Sequence, residues 1–158
     1  MEFSIRKATK EDYESVSFLF RQVHELHVSE RPDLYKENST PVTQETFNSQ
    51  LDDEKQHIFL ATIEKEIVGV IVMEEVNIAE NPFVNERKIL LINSICTATA
   101  HQKKGIGKRM MKYAFDFGKN LNADSIELNV LENNQNAIEF YQSIGMTTKS
   151  RKMEFKFN

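Results

Sequence analysis

The chain has 158 residues, the length of one domain with a substantial core, and a single domain over residues 1–158 is expected. A net charge of −4 and the lack of any apolar run long enough to cross a bilayer argue against a polyanion-binding or membrane protein. The lone Cys96 excludes an internal disulfide, and the start shows no signal-peptide pattern, so a cytoplasmic location is expected.

In chain order, residues 3–8 alternate as a first strand. Thr9 and Asp12 have the spacing of a capping box, opening a helix that runs to about residue 28. The stretch 29–42, with two prolines and several polar side chains, reads as a loop, and 43–53 as a short helix. Residues 57–63 and 66–76 are apolar runs around Glu64-Lys65, a hairpin signal. A largely buried strand follows at 88–97. Apolar side chains at 106, 110, 111, 114, 115 and 117 then fit a helix with one covered face, ending near 120–122. A strand at 125–131, a helix at 135–143 and a terminal pair of strands near 146–157 complete the chain. In that last stretch Met153, Phe155 and Phe157 alternate with Lys152, Glu154 and Lys156, which predicts one buried face. This order predicts an α/β (α+β) arrangement around a mixed sheet.

The segment Gln102-Lys103-Lys104-Gly105-Ile106-Gly107-Lys108 falls where strand hands over to helix. Glycine allows a tight turn and a close approach of ligand to backbone. The first helical turn offers unpartnered amides and positive dipole potential, which suits an anion and above all a phosphate. Charge agrees: no acid occurs from Arg87 to Phe115, while Arg87, Lys88, Lys103, Lys104, Lys108, Arg109 and Lys112 are basic. The plainer alternative is a solvated helix face with Gly105 as an ordinary turn. A dinucleotide fingerprint is excluded because position 110 is Met, and a P-loop because positions 102 and 109 are Gln and Arg.

Gln102, Gly105 and Gly107 match the Gln/Arg-x-x-Gly-x-Gly/Ala motif of the GNAT superfamily of acyl-CoA-dependent N-acyltransferases. Downstream, Asn134, Ala137, Phe140, Tyr141 and Gly145 reproduce the Asn-x-x-Ala-x-x-Phe-Tyr-x-x-x-Gly segment that follows that family's fifth strand. By both motifs and the order of elements, the chain resembles this superfamily over nearly its whole length. The resemblance implies the GNAT fold: a central mixed sheet of six to seven strands flanked by about four helices, with pantetheine bound where the fourth and fifth strands splay apart. It implies acetyl-CoA as acyl donor, no metal, and direct transfer of the acetyl group to a primary amine of a small molecule or a peptide. Expected partners are acetyl-CoA and an amine acceptor, with room for a homodimer and none for nucleic acid or membrane.

Carried over by position, Ile95, Cys96 and Thr97 would hold pantetheine through backbone groups. Gln102, Lys103, Lys104, Gly105, Ile106, Gly107 and Lys108 would hold the pyrophosphate through their amides. Lys103, Lys104, Lys108 or Arg109 could neutralise the nucleotide phosphates. Asn134 would reach the CoA arm as well as cap its helix. Tyr141 would stand beside the CoA sulfur as proton donor to the leaving thiolate; the plain reading of Phe140 and Tyr141 is packing. For Cys96 packing is the favoured reading, since a lone cysteine in an apolar strand is usually core.

Some relatives place a carboxylate on the strand before the glycine loop, but Ile89–Thr97 holds no acid. The base is therefore left among Glu74, Glu75, a histidine acting through water, and solvent. His24, His27 and Arg31 close the first helix and open the loop that commonly lines the acceptor pocket in the family; Asn93 on the fourth strand joins them as a candidate. His24 and His27 share a helix face and could in principle bind metal, though substrate lining or simple exposure is favoured. Residues 44–86 carry ten acids against two basic residues, which hints at a cationic acceptor or merely at solvated faces. Two rivals stay open: a CoA-binding sensor that has lost turnover, favoured by the missing carboxylate, and a nucleic-acid surface, disfavoured by overall acidity and by the lack of interleaved aromatics.

Overall fold

The computed structural model describes residues 2–158. Strand β1 (Phe3–Lys7) leads through a 3-10 turn at Lys10–Asp12 into α1 (Tyr13–Glu30). The turn is fixed by the Asp12 carboxylate, which accepts from the Thr9 amide at 2.8 Å and from the Arg6 guanidinium. Helix α2 (Gln44–Asp52) begins at Thr43, whose hydroxyl accepts from the Thr46 amide as an N-cap. Strands β2 (Gln56–Ile63) and β3 (Glu66–Ile78) are joined through Glu64 and Lys65, both at positive φ (49° and 72°), the tight hairpin read from the sequence. Then come β4 (Arg87–Thr97), a 3-10 turn at Thr99–His101, α3 (Ile106–Asn120), β5 (Ser125–Leu128) and α4 (Gln135–Ser143).

The sheet runs β1-β2-β3-β4-β5, antiparallel except for the parallel pair β4–β5. The central strands are apolar on both faces because both are covered. Ile58, Leu60, Val70 and Val72 pack under α1 and α2 with Val16, Leu19, Phe20 and Phe47. Their neighbours Phe59, Ile71 and Met73 face the other way, onto Met111 and Ala114 of α3. Each such side chain contributes on the order of 1.5–3 kcal/mol by leaving water.

One irregularity shapes the site. The β3–β4 register slips between Val72 and Met73, leaving Asn93 without a partner on β3. A bulge of this kind bends and twists its strand. The β4–β5 ladder covers Ile89–Ile92 and stops just before that residue. Beyond it, the second half of β4 and residues 129–131 part company and leave a slot.

Several expectations need correction. Among the described residues the α+β sheet has five strands rather than six or seven, with four helices. β5 ends at Leu128 rather than at 131 because β4 turns away there. The terminal pair of strands does not form: residues 147–158 belong to no helix or strand and are all exposed. Met153, Phe155 and Phe157 are not a buried face but lie 86, 82 and 87% exposed. The alternation is intact, but this chain supplies no layer to cover it.

Candidate active site

The glycine loop sits at the open end of the slot. Lys103 and Gly105 take left-handed backbone (φ of 63° and 81°), and Gly105 is the N-cap of α3. The Arg109 amide returns to Gly105 O, and among the described residues no hydrogen bond is made by the amides of residues 103–108. They form a concave row of donors at a helix N-terminus, the arrangement that receives phosphate oxygens. Gln102, Lys103, Lys104, Gly105 and Lys108 are exposed around it, whereas Ile106 is buried and anchors the helix start. The Gln102 side chain turns back toward β4. Its Nε2 donates to Thr97 O at 3.3 Å and closes the loop onto the strand.

The two sequence motifs meet in space through Gly107. Phe140 of α4 packs over the first turn of α3 there, its Cζ 3.4 Å from where a methyl group on Gly107 would lie. Phe140 in turn packs against Tyr141 with ring centroids 5.3 Å apart. The Tyr141 hydroxyl donates to nothing among the described residues, and burial pushes its pKa above the ordinary phenol value. It therefore carries a proton at any physiological pH. Asn134 caps α4, its Oδ1 accepting from the Ala137 amide at 3.2 Å, which leaves its NH2 group free.

The slot edge of β4 is selective. Ala98 N donates to Val68 O at 2.8 Å. By the alternation of an antiparallel ladder, Cys96 turns its backbone to β3 while Ile95 and Thr97 present theirs to the slot. Cys96 is thus the member of the expected trio that is engaged elsewhere. Its thiol packs under α1 within 3.3 Å of Gln22 Nε2, and burial pushes its pKa up to about 12, so it is inert as a nucleophile. Thr97 O already accepts from Gln22 at 2.9 Å and from Gln102. Gln22 also accepts from the Thr99 amide at 3.1 Å. This brace between α1 and the end of β4 has no local sequence signature, since its partners lie more than seventy residues away.

The basic island read from the sequence divides. Arg87 and Lys88 stand at the opposite end of β4, where Lys88 pairs with Glu75 at 3.1 Å. Arg109 stacks on the Phe3 ring at 3.7 Å. Lys103, Lys104 and Lys108 stand around the loop. Along α3, a groove of about 330 Å3 is floored by Met111, Phe115 and Ile144 and flanked by Lys108, Arg109 and Lys112.

A second cavity, of about 250 Å3, lies on the α1–α2 face of the sheet at the bulge. Its walls bring together His24, His27 and Asn93 with Phe20, Val23, Pro41, Val42, Gln50, Val72 and Ser94. Arg31 is not among them. It is bound by Asp33 at 2.7 Å and by Glu154 at 2.9 Å, and so is neutralised beside the cavity. His24 Nε2 lies 2.7 Å from Lys36 O and must donate there, because a carbonyl only accepts. Burial lowers the pKa of His27, with His24 adding to the effect and Glu30 opposing it, so His27 is a neutral imidazole at pH 7. Gln50 Oε1 is buried without a donor. No carboxylate lines this cavity, so the acids of residues 44–86 do not shape it. Glu75 is excluded as its base: it lies on the α3 face, held by His57 at 2.7 Å and by Lys88. Among the described residues no group of three or more His, Cys, Asp or Glu is placed to hold a metal ion.

A sequence profile described as the acetyltransferase (GNAT) family matches residues 20–146. Two mutants of the BH1408 protein from Bacillus halodurans, one a tetramutant, are 32% and 31% identical, with TM-scores of 0.94 and 0.96 over 98% of this chain and 99% of theirs. An aminoglycoside N-acetyltransferase in complex with CoA has a TM-score of 0.75 at 12% identity, over 98% of this chain and 94% of its own. An aminoglycoside acetyltransferase from an uncultured soil metagenomic sample, in complex with trehalose, has a TM-score of 0.67 at 20% identity, over 99% and 95%. These last two are likenesses of fold. With the glycine loop at the N-terminus of α3, the parted strands and the Phe140–Tyr141 pair in place, the chain belongs to the GNAT acetyltransferase family.

Proposed function

We propose that the protein is an N-acetyltransferase that moves an acetyl group from acetyl-CoA to a primary amine. The observation that carries this reading is the row of unpartnered amides from Lys103 to Lys108 at the mouth of the β4–β5 slot. Those amides suit the pyrophosphate, Ile95 and Thr97 the pantetheine arm, and the Asn134 NH2 group a carbonyl along it. The lysine-flanked groove along α3 suits the nucleotide end. Acetyl-CoA, when bound, supplies the activated thioester.

The chain's own residues would then manage two protons. His27, neutral and lining the cavity, takes one from the incoming ammonium, directly or through water, so that the amine can attack. As the new N–C bond forms and the C–S bond breaks, Tyr141 gives its phenolic proton to the departing sulfur, and the second proton of the now cationic nitrogen returns through water to the phenolate. His24 is positioned by Lys36 O and orients the cavity wall. The Gln50 carbonyl, buried without a donor, offers an acceptor for the N–H of the amine. The cavity is smaller than the ~300–1,000 Å3 of drug-sized sites. Its apolar walls and lack of carboxylate favour a small amine with an apolar body over a polycation.

A panel of primary amines assayed for CoA release tests the reading. Turnover with a compact apolar amine and little with a polyamine is the expected outcome. Tight acetyl-CoA binding without turnover on any amine would favour the sensor instead. Binding of oligonucleotide in place of acetyl-CoA would overturn both.

A further inference from the structure

α1 ends at Glu30, and the turn that follows doubles back on it. The Arg31 amide donates to His27 O at 2.9 Å, and the Leu34 and Tyr35 amides both donate to Arg31 O at 3.0 Å. The Arg31 guanidinium closes the turn as a fork on the Asp33 carboxylate, at 2.9 and 2.7 Å. Just beyond, Lys36 O accepts from His24 Nε2 at 2.7 Å. Tyr35 is thereby delivered to the face of α1 that carries both histidines. Its ring centroid lies 5.1 Å from that of His27, with the planes 31° apart, and 6.4 Å from that of His24, edge-on at 83°. The placement is selective. Of residues 32–40, Tyr35 alone is not exposed, and its apolar neighbour Leu34 is left 58% exposed. Tyr35 is also absent from the cavity wall, to which His24 and His27 both belong. The ring therefore meets the imidazoles and not the space an acceptor would fill.

We propose that Tyr35 is the positioning residue of the acceptor cavity: its ring backs His24 and His27, holds the His27 imidazole in one orientation at the cavity wall and keeps water from its outer face. This role rests on the reading of that cavity as the acceptor site and of His27 as its base. The two histidines need the ring unequally. Among the described residues hydrogen bonds are made by the rings of His24 and His57 and not by that of His27. Stacking on Tyr35 is thus the contact that orients His27, and it does so while leaving both ring nitrogens free, as a base requires. Water at the outer face would favour the imidazolium, so the ring works in the same direction as the burial of His27. The other titrating groups around His27 are on α1: His24, which adds to that effect, and Glu30, which opposes it. β4 and α2 present Asn93, Ser94 and Gln50 to the cavity, none of which titrates, and the Arg31 guanidinium is taken up by Asp33 and Glu154.

Imidazole resonances of the isotope-labelled full chain, followed through pH with no ligand added, read this independently of acyl transfer. In Tyr35→Ala the His27 midpoint should rise toward the 6.5 of a free imidazole, whereas Tyr35→Phe, which keeps the ring, should restore the native midpoint. Leu34→Ala, one residue away and exposed, should also leave it native. Tyr35 lies outside the packed core, so the circular dichroism spectrum should be unchanged in all three variants. In turnover with acetyl-CoA and the best amine, Tyr35→Ala should move the acid limb of kcat/KM up with the His27 midpoint. KM for the amine should rise severalfold and KM for acetyl-CoA should stay native. A His27 midpoint that fails to rise in Tyr35→Ala, or that rises equally in Leu34→Ala, would overturn the proposal. A midpoint that rises as expected beside an unmoved acid limb would support the hold of Tyr35 on His27 and overturn the reading of His27 as the base.

Discussion

In the proposed reaction Tyr141 and His27 make opposite demands on their surroundings, and burial meets both. Burial raises the phenol's pKa and keeps its proton available; it lowers the imidazole's and keeps a lone pair available. Tyr141→Phe keeps the packing on Phe140 and deletes the donor, so kcat should fall ~10²-fold, the lower end for a positioned acid, with acetyl-CoA affinity nearly unchanged. A variant that turns over at the native rate would make Tyr141 a packing residue. The His27 shift fixes an acid limb: kcat/KM should drop as pH falls through a value below the 6.5 of a free imidazole, and His27→Gln should abolish that limb. An unmoved limb in the variant would return the proton to solvent. The same shift makes the fold more stable as pH rises through that window, because the unfolded chain binds the proton more readily. Tyr141 was nominated by its motif spacing. His24, His27 and Asn93 were expected together on the acceptor side, and one cavity brings them together; Gln50 was not expected there, because it comes from α2 across the sheet. Arg31 lies outside that lining, and nothing local to it reveals its pairing with Glu154.

At the level of elements, α3 and α4 meet at Gly107. The glycine loop reads from sequence as a turn into a helix, and so it is. Which glycine does what needed the backbone, however. Gly105 carries the left-handed conformation, while Gly107 is helical and lies under Phe140. Gly107→Ala brings a methyl to 3.4 Å of Phe140, an ordinary van der Waals contact, and so leaves the ring in place. A stability gain of up to about 1 kcal/mol, or ~2–4 °C in Tm for a chain of this size, is expected from replacing a helical glycine, with kcat retained. A variant with lower Tm and lower kcat would show that α4 needs the bare backbone there. The β4–β5 slot was anticipated only by family resemblance. Its physical origin, a bulge at Asn93, leaves no mark in an apolar run that otherwise reads as one continuous strand.

For the whole molecule, the halves differ in completeness. Up to α3 the apolar runs specify a core that this chain can close by itself, and the strand and helix order was readable there almost element by element. Past α3 the alternation at Met153, Phe155 and Phe157 predicts a buried face, but the three side chains lie exposed, because periodicity says nothing about whether a layer is present to cover them. In the proposed reading the chemistry lies between these halves, where the amides of the α3 N-terminus meet the slot. The most direct measurement is a titration of the isotope-labelled protein with acetyl-CoA, followed through its backbone amide resonances. The largest shifts should fall on Lys103 to Lys108 and on Ile95 and Thr97, with His24 and His27 little affected until an amine is added. A saturating titration that leaves the amides of 103–108 unmoved, or moves only the α1–α2 cavity, would contradict the assignment of this loop as the acetyl-CoA site.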